Sequence, residues 1–159
     1  MRNRLRALVE RVPTRAWAIV GVLVLFLGGF GITVGPLLFG GNVVRAEVTG
    51  VIPGHATAGQ ILAIELSLDN TGDVGLNPLC VAGSADGGVE LLSVRFQGID
   101  TEPFRAGRAC GGRLNAQETV SITVITMPTV PGTAHLSLTA AEGSRTVGPP
   151  LTGTVVVSP

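Results

Sequence analysis

The sequence predicts an all-β body, an antiparallel sandwich of about seven strands, preceded by one N-terminal transmembrane α-helix. Three observations carry this. Beyond residue 42, apolar and polar residues alternate with a period of two, as in Ile61–Asp69 and Thr133–Ala140. Turn-forming pairs separate these runs, and no apolar repeat of helical period follows Gly41. The charge falls in blocks. Among 159 residues there are 11 Arg, no Lys and 11 acidic residues, so the formal charge is zero. Residues 1–15 carry Arg2, Arg4, Arg6, Arg11 and Arg15 against Glu10, a net of +4. Ala16 to Val44 carries no charge, and from Arg45 onward six Arg face ten acids, a net of −4. With 45% hydrophobic and only 14% charged residues, a strongly basic nucleic-acid binder and a disordered polyampholyte are both excluded. The length argues for about one domain.

Taken in order, residues 1–15 read as a cytoplasmic basic segment, because Arg immediately before an apolar span marks the cytoplasmic side. Leu5, Leu8, Val9 and Val12 form one apolar stripe at helical spacing. The simpler reading is that the five Arg only set orientation; the second is that the segment lies on anionic inner-leaflet lipid. Residues 16–40 read as the span. Ala16 to Leu38 would reach about 34 Å as a helix, enough to cross a hydrocarbon core of about 30 Å with some tilt. Trp17 sits where an indole favours the interface. Gly31 and Gly35 form a GxxxG, with Gly28 a turn earlier, and could let another span approach closely; glycine is also simply common in membrane helices. Pro36 kinks the span or marks its outer end. The rival to a signal anchor is cleavage after Val44-Arg45-Ala46, which offers small residues at the two recognition positions but lies beyond the apolar run.

Residues 41–159 form the extracytoplasmic body. Val43–Ile52 opens it. In Ile61–Asp69, Leu62, Ile64, Leu66 and Leu68 alternate with polar or small residues, giving one buried and one wet face. A short strand is expected near Leu76–Val81, then Val89–Gln97, Thr119–Val124, Thr133–Ala140 and Thr152–Ser158. Pro53-Gly54, Asn70-Thr71-Gly72-Asp73, Gly87-Gly88, Gly111-Gly112, Pro131-Gly132 and Gly148-Pro149-Pro150 are the breaks. Short strands at this spacing indicate an immunoglobulin-like sandwich.

Two stretches also carry a resemblance. Ala58-Gly59-Gln60, the alternating strand and Asp69-Asn70-Thr71-Gly72, followed later by Leu114-Asn115-Ala116-Gln117-Glu118 and Pro131-Gly132-Thr133, resemble bacterial immunoglobulin-like modules of the cell-adhesion-related (CARDB) and fibronectin-type-III-like group, over roughly 43–158. The resemblance implies a surface sandwich for adhesion, spacing or protein contact, with no catalytic residues. Antibody-type hallmarks are missing: no Trp lies in the body, and the Cys are not in the second and sixth strands.

Cys80 and Cys110 are the only cysteines, and outside the cytoplasm such a pair is expected as a disulfide. It would tie Leu79–Val81 to a long loop, Gly98 to Asn115. Three Arg in nine residues, Arg105, Arg108 and Arg113, with Phe104, make that loop a candidate contact patch for an acidic partner or lipid head groups; the alternative is a solvated loop whose Arg pair with the domain's own acids. His55 is expected in a turn and His135 on an outward strand face, both solvated. Asp69, Asn70 and Asp73 fall short of a calcium loop. With only Phe96 and Phe104 as aromatics in the body, and Phe96 expected in the core, carbohydrate stacking is disfavoured. No nucleophile, phosphate loop or ligand cluster marks an enzyme, a cofactor or a metal. The expected role is a non-catalytic, membrane-anchored module whose partners are the bilayer and another membrane or surface protein. The alternatives are an accessory single-span subunit of a larger complex, a secreted binding domain released near Ala46, and a small hydrolase or redox protein.

Overall fold

Residues 42–98 and 101–159 are described by a computed structural model. The basic head with Arg2, Arg4, Arg6, Arg11 and Arg15, and the expected span with Gly28, Gly31 and Gly35, lie outside the described residues. Among the described residues there is no helix, and so none long and apolar enough to cross a membrane.

The period-two runs become strands. The chain runs β1 (Ala46–Gly50), β2 (His55–Thr57), β3 (Leu62–Asn70), β4 (Leu79–Ala85), β5 (Val89–Phe96), β6 (Thr101–Pro103), β7 (Arg108–Cys110), β8 (Thr119–Pro128), β9 (Gly132–Glu142), β10 (Arg145–Thr146) and β11 (Leu151–Ser158). One sheet has the order β1-β3-β8-β5-β6 and the other β2-β11-β9-β4-β7, with β10 on β9. All pairings are antiparallel except β2 with β11. The seven strands of five or more residues reproduce the A-B-E-D and C-F-G orders of a constant-type immunoglobulin sandwich.

Register places the apolar halves of the pattern together. Ile64 lies opposite Val124 and Leu66 opposite Ile122. Their side chains meet those of Leu136 and Leu138 on β9 and Val155 and Val157 on β11 in one core. Burying each such Leu, Ile or Val is worth about 1.5–3 kcal/mol, which is why the alternation sets the fold. Phe96 is the largest fully buried side chain, as its place in the pattern predicts. Thr126 is the exception on β8. It points inward and is fully buried, and its hydroxyl donates to the Leu62 carbonyl at 3.3 Å, so that hydroxyl is not stranded.

A two-sheet sandwich leaves two open flanks, and edge strands with unpaired backbone groups invite unwanted pairing. Here both flanks are bridged by chain that crosses between sheets. On one, β1 pairs with β3, the chain turns at Gly50, and β2 joins the other sheet beside β11. Gly50 has φ +132°, and an added Cβ there would lie 2.7 Å from the Leu66 side chain, so only glycine fits the crossing. On the other flank, β6 extends the first sheet beyond β5 and β7 extends the second beyond β4.

Three sequence expectations change. The opening strand is Ala46–Gly50 and not Val43–Ile52, because the Val43 amide is held by the Asp73 carboxylate instead of a ladder. His55 begins β2, an edge strand, where a turn was expected. The stretch Gly98–Asn115 is not one long loop: it holds β6, β7 and the isolated bridge Leu76–Leu114. Correspondingly β4 runs on to Ala85, paired with β9 throughout and with β7 from Cys80 to Ala82.

Candidate functional site

The arm formed by β6, a tight turn and β7 is where the candidate contact residues fall. It is built from the inside outward. Phe104 follows β6 and donates its amide to the Leu92 carbonyl at 2.9 Å; Leu92 is the extra residue of a bulge in β5. The Phe104 side chain is half-buried and packs against the core at the crossing between the sheets. Gly83 on β4 makes the room. A Cβ there would come within 2.7 Å of Leu91 Cδ1 and 3.1 Å of both Leu138 Cδ2 and Phe104 Cε1. Gly83→Val should therefore cost about 1–3 kcal/mol through overpacking. A lower thermal midpoint with loss of the Phe104 ring's core chemical shifts would show this.

The chain then reverses at Arg105-Ala106-Gly107-Arg108. The Arg105 amide donates to the Arg108 carbonyl at 2.7 Å and the Arg108 amide to the Arg105 carbonyl at 3.1 Å. Ala106 and Gly107 have φ +49° and +76°, the two positive values of a type I′ hairpin turn. β7 returns along β4, and Cys110 lies directly opposite Cys80, to which it is bonded. Cys80 is fully buried and Cys110 is exposed.

This geometry separates the four candidate residues. Phe104 is taken up by the core, so it anchors the arm and offers little surface to a partner. Arg105 and Arg108 stand together on the turn. Arg113 lies beyond the disulfide, past Gly112, whose carbonyl accepts from the Leu79 amide. The Arg108 Nη2 group donates to the Ser144 carbonyl at 2.8 Å, in the turn before β10. Arg145 follows Ser144 and is exposed. Sequence reading missed Arg145 as a neighbour, because only the pairing of β10 with β9 brings it there. Among the described residues no arginine has a carboxylate within salt-bridge distance; His135 with Asp86 is the one ion pair.

That pair lies at the far end of the outer face of β4, β9 and β11. The face carries outward hydroxyls, and a shallow cavity of about 690 Å³ is lined there by Ser84, Asp86, His135, Ser137, Thr152 and Thr154 among others. The His135 amide donates to Asp86 Oδ1 at 2.6 Å, and the ring Nδ1 lies 3.2 Å from the same oxygen. The amide bond, above all, holds the Asp86 carboxyl below its usual range, opposed by partial desolvation and helped by the ring. A depressed carboxylate stabilises the fold above its unfolded pKa, and that contribution is lost as pH falls through the folded value. A carbon-detected NMR titration should therefore place the Asp86 midpoint below that of an unpaired aspartate. As chemistry the pair is limited. Both side chains are 65% exposed, and no hydroxyl lies within hydrogen-bonding distance of the ring among the described residues. Nor do three His, Cys, Asp or Glu gather among them as metal ligands.

No family model matches the chain, and no curated protein matches it. Solved structures do. The CARDB domain of a Pyrococcus furiosus protein, crystallised in complex with di-metal ions, aligns at 18% identity over 72% of this chain and 87% of its own, with a TM-score of 0.48. The solution structure of the same domain gives 17% identity, 72% and 94% coverage and a TM-score of 0.45. A cohesin module from a family 33 glycoside hydrolase of Clostridium perfringens gives 14%, 74% and 98%, with a TM-score of 0.46. At these identities the likeness is one of fold alone.

Proposed function

We propose that this chain is a non-catalytic, membrane-anchored, extracytoplasmic module that makes protein contacts at the cell surface through the arm on its closed flank. The observation that carries the reading is the Cys80–Cys110 bond, which holds the arginine turn against β4. Disulfides persist in oxidising compartments, so the bond supports a place outside the cytoplasm. The basic head before an uncharged, apolar stretch supports an anchor with its N-terminus inside. A module whose exposed arginines have no carboxylate partner among the described residues is suited to contact rather than to catalysis.

Membrane washing and surface proteolysis test this. The full chain should stay with the membrane through an alkaline carbonate wash, and protease added to intact spheroplasts should remove the body. Recovery in the wash supernatant, or a body protected in intact cells, would contradict the reading. Intact mass of the native protein decides the secreted alternative, which requires loss of residues 1–46. Gly31 and Gly35 favour one further reading, an accessory span within a larger complex. Replacing both by Leu should then release the chain from co-purifying subunits, whereas a plain anchor would be unaffected.

A further inference from the structure

Between the arm's turn and the outer face of the second sheet lies a concavity of about 280 Å³. Ala106, Gly107 and Arg108 form one wall, and Ser84, Ser137 and Thr139 lie across from them on β4 and β9. Arg105 and Arg108 face each other across a hydrogen-bonded turn, an arrangement that sets like charges side by side. The Arg108–Ser144 bond ties the turn to the hairpin between β9 and β10. Glu142 opposes Arg145 in register, and Glu102 lies on β6, yet neither reaches a guanidinium within salt-bridge distance. The Arg108 Nε group is buried with no acceptor. The guanidinium groups of Arg105 and Arg108 thus have no carboxylate within salt-bridge distance among the described residues, on a body whose sequence from Arg45 onward carries a net −4.

We propose that this corner docks an acidic polypeptide segment, its carboxylates on Arg105 and Arg108 and its backbone along the hydroxyls of Ser84, Ser137 and Thr139. This rests on the contact-module reading and names the partner's chemistry. A guanidinium matches a carboxylate in two parallel hydrogen bonds, which accounts for Arg at these positions. A lipid surface fits less well. Peripheral membrane binding joins cations to apolar groups that enter the interface. Here Phe104 packs on the core, and the exposed large apolar residues Val51, Ile61 and Val130 lie in loops outside the arm.

The test uses the full chain in phosphatidylcholine nanodiscs and fluorescent poly-L-glutamate, read by anisotropy. Wild type should bind saturably, and binding should weaken as salt rises past about 0.1 M, where screening sets in. Arg105→Glu, at an exposed position, should weaken binding about tenfold. Arg95→Glu, on the outer face of the other sheet, should leave it within about twofold. Melting curves of the variants confirm that they fold. Equal binding by Arg105→Glu, equal loss with Arg95→Glu, or binding to phosphatidylglycerol vesicles without binding to polyglutamate would each overturn the proposal. None of these outcomes alters the surface-proteolysis result, so the module reading stands or falls separately.

Discussion

Replacing Cys80 and Cys110 together by alanine should lower the unfolding free energy by about 3–4 kcal/mol. The bond closes a loop with a sequence separation of 30, and on the chain-entropy account a loop of that length removes about this much freedom from the unfolded chain. The loss should also be local. β7 has three residues, and without the bond it is held by a short ladder to β4 and by the one small buried side chain of Ala109. β6 is equally short, and Phe104 remains as the single apolar anchor between them. The urea midpoint should fall without an increase in cooperativity, and reduced wild-type protein should match the double alanine variant. An unchanged midpoint would mean that the arm's strands alone hold the flank.

The second large effect is expected at Asn70. This side chain ends β3, is 2% exposed and closes the turn to β4 from within. Its amide group donates to the carbonyls of Val74 and Asn115, both at 2.8 Å, and its oxygen accepts the Gly72 amide at 3.0 Å. Each hydrogen bond nets about 1 kcal/mol, and each partner left buried and unpaired costs about 1–3 kcal/mol. Asn70→Ala should therefore destabilise by about 3 kcal/mol. Asn70→Asp keeps the acceptor for Gly72 but turns a carboxylate toward two carbonyls, so it should do no better. Gln117, which donates to the Thr71 and Gly72 carbonyls from the other side, is exposed, and its replacement should cost less. Thermal or urea denaturation of the three variants orders them, with Gln117→Ala nearest wild type. If Asn70→Ala melted with wild type, the turn would be held by its backbone bonds alone.

Much of this architecture was legible because its information is local. Alternation in Leu62–Leu68 and Ala134–Ala140 already names the buried face, and turn residues mark the breaks between strands. The Asn70-Thr71-Gly72 motif was visible as a turn, but its inward-facing role was not. That role depends on Asn115, 45 residues away. The same limit explains the arm. Thr101–Pro103 and Arg108–Cys110 are too short and too polar to show a period, and they become strands only because β5 and β4 offer edges. Ala82-Gly83-Ser84 reads as a poor strand; it is one because β9 pairs with all three residues, β7 begins its ladder at Ala82, and Gly83 leaves room for Phe104. The contact patch was legible as a count of arginines. Its division was not: Phe104 turns in, Arg113 sits apart, and Arg108 reaches the Ser144 carbonyl in a hairpin whose position only pairing reveals. The hydroxyl face was readable strand by strand, while the adjacency of β4, β9 and β11 was not.

The central claim is that a disulfide fixes a short arm over one flank and so presents a rigid arginine turn. Amide hydrogen exchange of the oxidised and reduced protein tests it most directly. In the oxidised protein the amide of Ala109, which lies opposite Val81 in the β4–β7 ladder, should be protected nearly as well as those of β4. On reduction, protection in β6 and β7 should collapse toward that of an open loop while β3, β8 and β9 keep theirs. An arm that exchanges freely with the disulfide intact would contradict the account.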